Sequence, residues 1–143
     1  MPIKVLLAED SETMRVAVRR LLKEDPRIAL VAEATTFAQA MQMRVDFKPQ
    51  IILMELHLPE RRDFTGAFVK SQLLSIPLLT FSLSNDEEAQ ALAVSYGAVI
   101  LLDKMTLYAN LIPAIIKFAP DEFRSSSLDG RSVKSPSAVP EAA

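Results

Sequence analysis

Five apolar runs punctuate the chain: Ile3 to Ala8, Ile28 to Ala34, Ile51 to Leu56, Ile76 to Ser82 and Ala98 to Leu102. Most are unbroken blocks, not alternations of apolar and polar residues. Strands covered on both faces have this look. Between the runs the period changes. Met14, Val18, Leu21 and Leu22 follow one helical face, with Arg15, Arg19, Arg20 and Lys23 interleaved. Start and stop signals agree. Ser11 is placed to cap the first helix, Thr36 with Gln39 and Asn85 with Glu88 have the spacing of capping boxes, and Gly97 follows the fourth helix. Taking Asn110 as the cap of the last helix puts Pro113 in its first turn, where a missing N–H does little harm. The pattern is βαβαβαβαβα, which predicts an α/β sandwich around a parallel sheet.

From about Asp121 the pattern stops. The segment DEFRSSSLDGRSVKSPSAVPEAA holds six Ser, two Pro and few large apolar residues, so it reads as a flexible tail. A chain of 143 residues, half of them hydrophobic, with a mean hydropathy of +0.19, can bury one substantial core. A net charge of −2 carries no basic footprint for nucleic acid. There is no Cys, so thiolate metal sites, disulfides and Cys nucleophiles are excluded. No apolar run approaches a membrane span, and the N-terminus lacks the pattern of a signal peptide, so a cytoplasmic protein is expected. Three Gly in the whole chain leave no Gly-rich phosphate loop.

The chemistry concentrates at the ends of the predicted strands. Strand one ends in LLAEDS, bringing Glu9 and Asp10; strand three brings Glu55; strand four ends in Ser82; strand five is followed by Lys104. In open parallel sheets ligands sit at the carboxyl ends of the strands. Taken singly, the acids read as helix caps or solvated loop residues, Ser82 as a turn residue and Lys104 as a surface charge. Together they make an acidic site for a hard cation such as Mg²⁺, with a hydroxyl and an ammonium beside it. That combination suits a phosphoryl group. A Mg²⁺-dependent hydrolase is the weaker use of the same acids, because no second acid–base pair or nucleophile accompanies them.

In these residues the chain resembles the response-regulator receiver domain, the CheY-like fold, over about Ile3 to Ala119. The resemblance rests on the acidic pair Glu9 and Asp10, the segment from Pro49 to Pro59, Ser82 closing strand four, and the stretch from Gly97 to Lys104. The stretch PLLTFSLSNDEEAQALAVSYGAVILLDK is most similar to receivers of the NarL/FixJ type. The resemblance implies a five-stranded parallel sheet in the order 2-1-3-4-5 with helices on both faces. It also implies a receiver-like domain over 1–119 followed by a Ser/Pro-rich tail over 120–143. Glu9, Asp10, Glu55 and the backbone carbonyl of His57 would be the Mg²⁺ ligands, Ser82 the hydroxyl that bonds the phosphoryl group, and Lys104 its counter-charge. The imidazole of His57 is read as loop surface.

Two positions depart from the family. Its phosphoacceptor Asp falls on Glu55, and its switch aromatic on strand five falls on Leu101. Phosphoryl transfer depends on positioning, and a displacement of one methylene is enough to slow it on the order of 100-fold. The expected function is therefore an atypical receiver in two-component phosphorelay signalling: not an enzyme, and a phosphorylation-independent protein-interaction module in which Glu55 weakens Mg²⁺ binding. The alternative is a working Mg²⁺-dependent phosphoacceptor, as a fragment of a transcriptional regulator. Expected partners are a histidine kinase or a downstream regulator. A homodimer or partner surface is expected across helix four, strand five and helix five, where Glu87, Gln90 and Ala91 join surplus apolar residues of the last helix. Arg61 and Arg62 read as solvated, or as contacts for an acidic partner.

Overall fold

The computed structural model describes residues 1–123, apart from the side chains of Arg61 and Arg62. Residues 124–143 of the expected tail lie outside the described residues. Its first residues are described, and Phe123 packs against the core.

The elements follow the alternation of the sequence: β1 (Ile3–Ala8), α1 (Glu12–Lys23), β2 (Ile28–Ala34), α2 (Phe37–Phe47), β3 (Ile51–Glu55), α3 (Gly66–Gln72), β4 (Leu78–Ser82), α4 (Glu87–Ser95), β5 (Ile100–Asp103) and α5 (Leu107–Phe118). Short 3₁₀ turns at Pro59–Asp63 and Lys104–Thr106 follow β3 and β5. All strand pairs are parallel, in the order β2-β1-β3-β4-β5, as the resemblance implies.

The continuous apolar runs are explained by two cores, one on each face of the sheet. Successive side chains of a strand point to opposite faces. Val5, Leu7, Ile51, Leu53, Leu79 and Phe81 pack with α1 and α5, while Leu6, Ala8, Ile52, Met54 and Leu78 pack with α2, α3 and α4. Burying each Leu or Ile contributes roughly 1.5–3 kcal/mol, so this central sheet carries most of the stability.

Local chemistry sets the boundaries. Ser11 accepts a bond from Met14 N–H and Thr36 one from Gln39 N–H, as their spacing predicted. At α4 the cap is Asp86, which accepts from Ala89 N–H, rather than Asn85. Gly97, at φ 80°, closes that helix: its N–H donates to Val94 and that of Ala98 to Ala93. This pairing is the Schellman motif, and it consumes Ala98, so β5 starts later than the apolar run. Similarly, Ile76 N–H donates back to Leu73 and Pro77 has no N–H, so β4 begins only at Leu78.

The last helix corrects the placement of Pro113. The 3₁₀ turn after β5 runs straight into α5 at Leu107, so Asn110 lies inside the helix and Pro113 falls in its interior. Thr106 at the N-cap makes no side-chain capping bond. Pro113 is on the exposed side, where water can satisfy the carbonyl that the ring leaves without a helical donor.

Candidate functional site

The carboxyl ends of β1, β3 and β4 and the turn after β5 meet at one edge of the sheet, since β1, β3, β4 and β5 are consecutive neighbours. Glu55 pairs in register with Phe81, one residue before the end of β4, and Ser82 pairs with Asp103, just before Lys104.

Glu55 closes a strand whose other residues have at most 1% exposure, and is itself only 6% exposed. A carboxylate so placed must be paired. One oxygen, Oε1, contacts Lys104 Nζ. The other, Oε2, accepts the backbone N–H of His57 at 2.6 Å. Glu9, 1% exposed, is held in the same way: Oε2 accepts Ser11 N–H at 3.0 Å, and Oε1 lies 2.9 Å from Lys104 Nζ. The Lys104 ammonium therefore stands between two buried carboxylates, with the Phe81 ring 5.3 Å away on a third side. Arg15 steadies this corner by donating to the Glu9 carbonyl at 2.9 Å.

The electrostatics follow from this geometry. Burial pushes the Glu9 carboxyl above its ordinary value, and the Ser11 N–H and Lys104 offset that only in part. Burial opposes the charge on Lys104, but bonds to Glu55 and Glu9 outweigh it and leave the ammonium above its ordinary value. The ion pairs hold Lys104 charged.

Four of the predicted residues thus converge: Glu9, Glu55, Ser82 and Lys104. Asp10 is exposed at the rim. Leu101 is half-buried in β5, next to Thr80 in the ladder, and packs into the α2–α4 core. His57 corrects the expectation of a surface imidazole. Its ring is half-buried, with Nδ1 3.3 Å from Ser82 Oγ and 3.7 Å from Glu55 Oε2. Nothing in the sequence singles out this ring, because Ser82 is 25 residues away and only the β3–β4 pairing joins them. The Arg61 and Arg62 side chains lie outside the description.

Receiver domains generally bind Mg²⁺ at the acidic site, so the fit of the residues matters. Mg²⁺ requires near-octahedral oxygen ligands. Here the inward oxygens of Glu9 and Glu55 are both turned to an ammonium and their outer oxygens to backbone N–H groups. Among the described residues no group of three or more His, Cys, Asp or Glu is disposed to hold a metal ion. As arranged, the site carries its own cation, and these carboxylates do not offer a divalent ion its coordination set.

Comparison with known proteins agrees with the fold. The nitrate/nitrite response regulator protein NarL of Escherichia coli (strain K12) is 30% identical over 122 residues, 85% of this chain and 56% of that protein. A protein-glutamate methylesterase/protein-glutamine glutaminase of Anaeromyxobacter dehalogenans is 30% identical over 110 residues, 77% of this chain but 32% of its own length. Among solved structures, a LuxR-family two-component response regulator from Aurantimonas sp. SI85-9A1 superposes with a TM-score of 0.72 at 22% identity, covering 90% of this chain and 100% of that one. No family model matches the chain. Fold and relatives support a CheY-like receiver domain, similar to those of response regulators. It spans about a third of the methylesterase and just over half of NarL.

Proposed function

We propose that this chain is an atypical receiver domain that works in two-component signalling as a protein-interaction module, in a state independent of phosphorylation at residue 55. The observation that carries this reading is the double anchoring of Glu55, by Lys104 on one oxygen and His57 N–H on the other, in a buried position. The longer side chain brings its carboxylate into the space an incoming phosphoryl group would need. It also supplies the negative charge that Lys104 would otherwise meet on that group. Phosphoryl transfer gains little from covalent chemistry and much from placement, so a filled and misplaced acceptor is a poor one. Leu101 points the same way, because it brings no ring to couple Ser82 to strand five.

On this reading the domain is cytoplasmic, performs no catalysis of its own and binds divalent cations weakly. Among the described residues no helix is long and apolar enough to cross a membrane. The methylesterase relative is matched over only 32% of its length, so its activity is not carried over to this chain. The partner is a protein, a histidine kinase or a downstream regulator, and the face across α4, β5 and α5 is the candidate contact. The apolar residues of α5 mostly serve the core: Leu107, Leu111 and Ile115 are buried, and Ile112, Ile116 and Phe118 pack against them. The contact would therefore depend on Tyr108, 79% exposed, with Glu87, Gln90 and Ala91.

Incubation with acetyl phosphate and Mg²⁺ followed by intact-mass measurement tests the reading. The wild-type chain is expected to gain no phosphoryl mass, while Glu55→Asp, with Ser82 and Lys104 retained, is expected to gain one. A stoichiometric adduct on Glu55 overturns the proposal.

A further inference from the structure

We infer that the His57 imidazole holds the Ser82 hydroxyl, and through it the turn from β4 into α4, in the place of the phosphoryl group that a receiver's hydroxyl answers to. This inference rests on the phosphorylation-independent reading and adds the means by which the fixed state reaches α4.

Ser82 is 1% exposed at the end of β4, so its hydroxyl must find partners within the protein. Two are in reach. Ser84 N–H donates to Oγ at 3.1 Å, and His57 Nδ1 lies 3.3 Å from it. Glu55 uses its oxygens on Lys104 and on the His57 N–H instead. That N–H bond fixes the backbone of His57, and the side chain, 35% exposed, sets Nδ1 nearer to Ser82 Oγ than to Glu55 Oε2, 3.3 Å against 3.7 Å. The result is one chain of contacts: Lys104 to Glu55, Glu55 to the His57 backbone, the His57 ring to Ser82, and Ser82 to Ser84. Asp86, two residues past Ser84, caps α4. The hydroxyl at the head of this turn is thereby committed without any phosphoryl group.

His57 acts here as a positioning residue, through one ring nitrogen. That separates the proposal from simple packing. Asn carries a polar atom at the same branch as Nδ1, whereas Leu keeps bulk and loses the polar atom. In the ¹⁵N-labelled full chain at fixed pH, amide hydrogen exchange at Ser84 and the His57 Nδ1 resonance are read by NMR. His57→Leu is expected to speed Ser84 exchange by about two- to tenfold, the range one net hydrogen bond supplies. His57→Asn is expected to stay near the wild-type rate, and Ser82→Ala to shift the Nδ1 resonance. Unchanged Ser84 exchange in folded His57→Leu, failure of Asn to rescue a change seen with Leu, or an Nδ1 resonance indifferent to Ser82→Ala overturns the proposal. If His57→Leu fails to fold, the Ser82→Ala measurement decides alone. None of these signals reports on phosphorylation, so an adduct on Glu55 would defeat the reading above without altering them.

Discussion

Lys104 is the residue on which the site's charge balance depends. Two carboxylates, at 1% and 6% exposure, share its one ammonium. Removing one partner of a buried ion pair strands the other in a poor solvent, at about 3–5 kcal/mol. Lys104→Met is therefore expected to lose stability near the lower end of that range, read from urea unfolding, because the backbone N–H bonds of Ser11 and His57 remain. Adding Glu55→Gln should recover part of the loss, since one stranded charge is gone. If Lys104→Met is as stable as wild type, the pairing is not what makes two buried acids tolerable. Strand-end placement put Glu55 and Lys104 at one end of the sheet but left open whether a metal or the ammonium meets the carboxylate. The ring of His57 was not legible, because its partner is set by the neighbouring strand.

At the scale of the elements, α5 is the one built against local preference. Its interior Pro113 lacks an N–H and crowds the carbonyl of Ala109 one turn back. The helix survives because Leu107, Leu111, Ala114 and Ile115 are buried against the sheet, so tertiary packing overrides the local penalty. Pro113→Ala removes an exposed ring and restores a donor. It is expected to raise stability by about 1–3 kcal/mol, read as an increase in melting temperature; a decrease would mean that the ring itself contributes to packing. At α4 the cap chosen by sequence spacing was one residue early. Asn85 and Asp86 are adjacent candidates, and only the backbone path out of β4 decides which carries the extended conformation that a cap requires. By contrast, Gly97 was readable outright, because its positive φ is a demand that glycine meets without strain.

For the molecule as a whole, the pH response is divided between surface and site. The Arg19 bonds hold Glu33 below its ordinary 4.5, the Arg27 bonds hold Asp25 below 3.8, and the Ala89 N–H holds Asp86 below 3.8. A carboxyl lowered in the folded state gives stability above its unfolded value, and that stability is lost as the pH falls through the folded one. Glu9 has the opposite sign: its raised value gives stability that is complete below 4.5 and is lost as the pH rises through the folded value. Acidification below pH 4.5 is thus expected to lower the melting temperature through the three surface acids, with no counter-slope from Glu9 there. Glu33→Gln should flatten the decline. An unchanged acid slope in that variant would show that the Arg19 pair, despite its bidentate contacts at 2.6 and 2.8 Å, is screened to no effect.

By itself the sequence determined the layered α/β fold, the order of the strands along the chain and the set of residues at the strand ends. Each of these depends on local periodicity, on turn chemistry, or on the rule that parallel sheets expose their sites at carboxyl ends. What only the tertiary structure decided is how those residues are disposed: that one ammonium serves both Glu9 and Glu55, that Asp10 is exposed at the rim, and that Ser82 turns to His57. These outcomes follow from which strands lie side by side and from how far each side chain must reach to satisfy a buried polar group. Such distances exist only once the sheet has assembled.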